Sequence, residues 1–124
     1  MTDPSIRIEV ETAYLDHQSD PGEGRYAFAY SITISNDGPI AARLLSRHWI
    51  ITDADGGVQE VRGEGVVGEQ PLIRPGEGFR YCSGAIIPTP VGSMRGAYHM
   101  VDETGHRFEA QIAPFTLARP GALH

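Results

Sequence analysis

The residues most able to do chemistry form a glycine run, Gly63-Glu64-Gly65-Val66-Val67-Gly68. Its spacing is that of a dinucleotide-binding turn, in which glycines let backbone N–H groups approach a pyrophosphate and a following helix dipole stabilises the charge. The context here is different. No helical period follows, Gln70-Pro71 interrupts any helix, and no acid stands about twenty positions on to hold a ribose. The phosphate-loop variant fails at Glu69, where Lys-Ser or Lys-Thr is needed, and Glu64 and Glu69 repel anions. The run therefore reads as a structural loop, with a weak anion or phosphate nest as the alternative. If Val66 and Val67 sit at its tip, they suit a protein contact better than a phosphate.

Other reactive side chains do not assemble into a set. His17, His48, His99, His106 and His124 lack the short spacing of a zinc pair, and the single cysteine cannot complete a structural site. No metal site is expected. Asp53-Ala54-Asp55-Gly56 resembles the start of a calcium loop, but Gly57 holds the third ligand position and Gly56 comes too early, so a hairpin turn is the better reading. Cys82 lies between Tyr81 and Ser83 on an alternating strand, facing away from Phe79 and Tyr81, and reads as a small packing residue. All ten cations are Arg. Without lysine there is no Schiff base, pyridoxal-phosphate anchor or phosphate-loop amine. With no Gly-x-Ser-x-Gly elbow either, no catalytic residue is assigned and no cofactor is expected.

The elements that must carry these residues follow a period of two. Ile6, Ile8 and Val10 alternate with charges. Tyr26, Phe28, Tyr30, Ile32 and Ile34 alternate with Ala and Ser or Thr, and Asn36-Asp37-Gly38-Pro39 closes that strand with a turn. Leu44 to Thr52 forms a third strand carrying Trp49, with His48 on the opposite face. Asp55-Gly56-Gly57 leads into Val58 to Arg62 as a hairpin. After the glycine loop, residues 63–71, and the turn Arg74-Pro75-Gly76-Glu77, a strand carries Phe79, Tyr81 and Ser83. Ile86-Ile87-Pro88 suits an edge or a connection. The last hairpin has a definite expected register. Pairing Asp102 with His106 around a three-residue turn puts Tyr98, Met100, Phe108 and Ala110 on one face, sets His99 opposite Glu109, and gives Gly105 the left-handed position. Roughly seven strands at short spacing and no helical pattern indicate an all-β sandwich or barrel, as an immunoglobulin-like fold requires.

Length and charge bound the rest. At 124 residues the chain suits one domain, expected over residues 1–118, with a frayed tail at 119–124. A net charge of −6 argues against general nucleic-acid binding, because phosphates meet a repulsive field. No apolar run reaches membrane-spanning length, so membrane insertion is not expected. One cysteine and no basic-then-apolar opening make a cytoplasmic setting the default.

Several of these segments in order resemble the ApaG family: His48-Trp49 through Asp53, Gly63-x-Gly65-Val66-Val67-Gly68-x-Gln70-Pro71, Pro75-Gly76, Tyr81-x-Ser83-Gly84, Gly92-x-Met94-x-Gly96-x-Tyr98-x-Met100 and Phe115-x-Leu117. The resemblance runs from about Ile6 to Leu117. It implies a fibronectin type III-like β-sandwich with no established enzymatic activity. It also implies association with cobalt resistance and magnesium efflux, in a chain encoded beside diadenosine-tetraphosphate hydrolysis. Similar domains in an F-box protein and a polymerase-delta-interacting protein imply an interaction module. The family's likened pyrophosphate motif falls here on Gly63, Gly65 and Gly68. Cys82 stands where the family more usually has Thr, which weakens any thiol mechanism.

Two expectations about function follow. The first is a non-enzymatic binding module that presents Gly63, Gly65, Val66, Val67, Gly68 and Gln70, with Ile86 to Pro88 as a second surface, to a protein partner. The second is a binder of pyrophosphate or a nucleotide polyphosphate at the same loop, with or without a divalent metal.

Overall fold

A computed structural model describes residues 5–122. Residues 1–4 and 123–124, the latter including His124 and the end of the tail expected to fray, lie outside the described residues. Eight strands occur among those described: β1 (Ile6–Tyr14), β2 (Tyr26–Asn36), β3 (Ala42–Asp53), β4 (Val58–Glu64), β5 (Leu72–Ile73), β6 (Gly78–Ile87), β7 (Val91–Asp102) and β8 (Arg107–Ala118). They form two antiparallel sheets, β1-β2-β6 and β4-β3-β7-β8, with the short β5 added to β3. The two sheets pack as a sandwich, which decides between the sandwich and barrel that the alternation allows and agrees with what the resemblance implies. Two short 3-10 turns, Asp16–Gln18 and Pro21–Glu23, fill the β1–β2 connection. No helix among the described residues is long and apolar enough to cross a membrane.

The apolar alternation supplies the core. Phe28, Tyr30, Ile32 and Ile34 of β2 are buried, and Ile6, Ile8 and Val10 of β1 pack against the same cluster. Trp49 stands at its centre, with ring centroids 5.4 Å from Tyr30, 6.3 Å from Tyr98 and 5.8 Å from Phe115. The hydroxyls of Tyr81 and Tyr98 hydrogen-bond to each other within the core. Burial pushes Tyr81 up to about 12 and raises Tyr98 as well. Asn36 is a buried polar side chain with every near partner satisfied. Its Nδ2 donates to the carbonyls of Ile40 (2.8 Å) and Ile73 (2.9 Å), and its Oδ1 accepts from the Gly38 amide (2.9 Å).

The last hairpin takes the expected register, with Tyr98 opposite Ala110, His99 opposite Glu109 and Met100 opposite Phe108. Gly105 has φ +86°, in the left-handed region.

Two strands depart from simple alternation. In β3 the inward set is Ala42 and Leu44, then Trp49 and Ile51, so the parity changes between them. A bulge at Leu45 accounts for it: Leu44 pairs with Met100 but Ser46 with His99. One extra residue rotates the rest of the strand by half a period. A second bulge in β8, between Ile112 and Phe115, does the same and contains Pro114. Both bulges place proper core residues inward from a sequence whose strict alternation fails.

Candidate functional site

The bulge in β3 is also where the glycine loop is fastened. Leu45 presents its carbonyl to the Gly65 amide (2.8 Å) and to Gln70 Nε2 (2.9 Å). Two arginines of the same strand reach the loop's own carbonyls. Arg47 Nη1 donates to Glu64 (3.1 Å) and Gly65 (2.9 Å), and Arg43 Nη1 donates to Gln70 (2.7 Å). Pro71 closes the segment by accepting from the Leu44 amide at 3.0 Å. Charge-assisted donors hold the backbone here in place of a regular ladder.

Within that frame the chain makes a two-residue turn. The Val66 amide donates to Glu69 (2.8 Å), and the Glu69 amide returns a bond to Val66 (3.0 Å). Val67 and Gly68 between them have φ +44° and +82°. Positive φ at both central residues is the signature of a type I′ turn, for which Asn-Gly is the favoured pair. Gly68 accepts that geometry freely. Val67, β-branched, does not.

The expectation that Val66 and Val67 share the tip is met by Val67 alone. Val67 is 57% exposed, whereas Val66 is fully buried and belongs to the hydrophobic core. Gln70 is exposed, but its amide is turned back onto Leu45. Gly63 and Glu64 are the last residues of β4 rather than loop.

Each glycine of the run has a local structural reason. A Cβ on Gly63 would lie 2.7 Å from Arg47 Nη1, and one on Gly65 would collide with the Glu69 carbonyl. Gly65 also has φ +62°. A recess of about 360 Å³ lies against the turn, lined by Glu64, Gly65, Gly68, Glu69 and Gln70. Its two carboxylates are unopposed by any cation in the lining. The amides of Gly65, Val66 and Glu69 are already engaged by carbonyls, and β5 follows instead of a helix. The arrangement is a clamped, presented tip.

The remaining sequence candidates stay apart. His48 bonds Glu60 at 3.0 Å on the outer face, and His99 faces Glu109 at 3.9 Å. Asp53 Oδ1 accepts from the amides of Asp55 (2.8 Å) and Gly57 (3.0 Å), which makes the acidic run a hairpin turn. Cys82 is exposed on the outer face of β6, with Sγ 3.0 Å from Ser31 Oγ. Among the described residues no three His, Cys, Asp or Glu side chains are grouped to hold a metal ion.

Sequence reasoning overlooks Leu45, Arg43 and Arg47. The parity change from Leu44 to Trp49 is the signal that would have exposed the bulge, and with it the anchoring carbonyl.

Comparison with known proteins agrees with this geometry. The ApaG domain model matches residues 16–102. Protein ApaG of Thiobacillus denitrificans is 64% identical over 119 residues, spanning 96% of this chain and 94% of that protein. Protein ApaG of Pseudomonas putida F1 is 59% identical over 126 residues, covering both chains completely. An X-ray structure of a structural-genomics target superimposes with a TM-score of 0.93 at 54% identity, covering 98% of this chain and 92% of that one. A crystal structure of a Bordetella pertussis protein gives 0.91 at 53% identity over 94% of each chain. A full-length match in sequence, together with the same sandwich, places this chain in the ApaG family.

Proposed function

We propose that the chain is a non-enzymatic binding module that meets a protein partner with the 63–71 loop. The observation that supports this reading is Val67, held 57% exposed in a left-handed conformation on a loop clamped by two arginines. A β-branched residue in that region costs about 1–2 kcal/mol. A strained apolar tip on a rigid base is suited to a contact, because its shape is set before the partner arrives. The cobalt and magnesium traits associated with the family then arise through that partner, in the cytoplasm.

Affinity capture with wild-type protein and with Val67→Asn tests it. The account expects a partner retained by wild type and lost by the variant, whose backbone the turn accommodates. Identical capture by both removes the loop from the reading. Amide NMR titration with diadenosine tetraphosphate, with and without Mg²⁺ or Co²⁺, separates the rival. The account expects no saturable shifts at Gly63, Gly65 and Gly68, whereas shifts there favour the phosphate binder.

A further inference from the structure

The sandwich is open along one side. Each sheet ends there in a strand bonded on one edge only: β6 pairs with β2, and β4 with β3. On the opposite side β1 and β8 approach each other and close the layers. Ser83 marks the gap. It lies opposite the buried Tyr30 in the β2–β6 register and so points inward, yet it is exposed.

A cleft of about 340 Å³ occupies this side. Phe28, Ile51 and Ala85, all core residues, form its floor. Val61 of β4, 38% exposed and paired with Trp49, forms its inner wall, and Ile86 of β6, 44% exposed, borders it from the Cys82 face of the edge strand. Its polar lining is neutral, from Gln18 and Gln59. No charged side chain lines it, although the chain carries 16 acids and 10 arginines. The charge match is therefore to an uncharged, apolar segment.

Open strands on both walls add a second constraint. Backbone N–H and C=O groups along an unpaired edge call for another strand, and natural edges are usually blunted by Lys, Pro or inward charges. From Tyr81 to Ile87 β6 has none of these. Its one charge, Arg80, is turned over its own sheet, with Nη1 3.3 Å from Thr33 Oγ1.

We infer that this side receives an extended, uncharged apolar segment of a partner protein, added antiparallel or parallel to β6 as a fourth strand of the β1-β2-β6 sheet. Main-chain bonds to β6 supply the pairing. Alternate side chains enter the cleft over Phe28 and Ile51, which supplies the preference for apolar residues at every second position. The cleft shares no residue with the 63–71 loop, so the inference stands apart from the loop's role.

The test begins by panning a library of random peptides, as long as β6, on the full chain. A selected peptide is then titrated into isotope-labelled protein. The expected peptides alternate apolar with small polar residues and carry no central charge. Their shifts and slowed amide exchange map to β6 and β4. Ile86→Lys and Val61→Lys, both at exposed positions and checked for an unchanged amide fingerprint, each weaken binding by about tenfold or more. Val67→Asn leaves it unchanged. Peptides that map elsewhere, or no selected peptide at all, overturn the inference. So does a dimer in sedimentation that Ile86→Lys dissolves, since a second copy then fills the cleft.

Discussion

The turn between β7 and β8 and the turn within the 63–71 loop are both short, and both use glycine at positive φ, yet they are held by opposite means. At the first, Asp102 Oδ1 accepts from the Thr104 amide (2.9 Å), the Thr104 hydroxyl (2.6 Å) and the His106 amide (3.1 Å), and Gly105 takes the left-handed position. Gly105 alone in this turn takes positive φ, and the turn's side-chain hydrogen bonds all come from within five residues; one bond from outside, from the Glu103 amide to the Ala41 carbonyl (3.1 Å), adds to them. At the second, Val67 occupies a conformation it disfavours, and contacts from β3, a distant strand, hold it there. A turn that encodes its own shape is set by its own side chains, and a single backbone bond from outside is enough beside them. One that holds a strained residue relies on contacts from elsewhere, and in the proposed reading those contacts fix the tip's shape for a partner.

The comparison can be broken at the clamp. Val66→Asp puts a carboxylate where a fully buried side chain packs against the core. Its expected cost is about 4 kcal/mol or more, read by urea denaturation. Arg47→Met removes the donor to the carbonyls of Glu64 and Gly65. A cost of about 2 kcal/mol is expected, since bonds from a charged donor are worth more than neutral ones. The same variant carries a spectroscopic signature. The Arg47 charge draws the titration of both Tyr81 and Tyr98 downward. Its loss therefore moves tyrosinate absorbance to higher pH, in the direction in which burial already pushes both hydroxyls.

The self-sufficient turn gives the smallest effect. Hydrogen bonding, first from Thr104, holds the Asp102 carboxyl below its ordinary range. A group whose folded pKa is depressed stabilises the fold above its unfolded pKa, about 3.9, and that contribution fades as pH falls further. Asp102→Ala should therefore lower stability at neutral pH and flatten its acid dependence, while leaving the 63–71 loop's amide spectrum unchanged. A change in that spectrum would couple the two turns and blur the distinction.

The contrast also explains what the residues disclose without a structure. Asp102, Thr104 and Gly105 lie within one turn, so their sequence spacing contains the geometry, and the register of the final hairpin follows from them. The sandwich is equally legible, because Tyr26 to Ile34 alternate without interruption. The loop is not. Its glycines resemble a phosphate motif, while the reasons for them, the Arg47 guanidinium over Gly63 and the Glu69 carbonyl beside Gly65, depend on the β3 bulge and the turn's closure. Val66 and Val67 are identical in type and adjacent, yet one is core and the other tip. Only the turn's handedness separates them.

The central claim is that Val67 is held in strain for presentation, and the most direct measurement is the urea midpoint of Val67→Asn against wild type. Asn-Gly is the preferred pair for this turn. The account predicts a variant more stable by about 1 kcal/mol with an unchanged denaturant slope. A midpoint that is unchanged or lower would contradict it, because the residue would then be at ease where it stands.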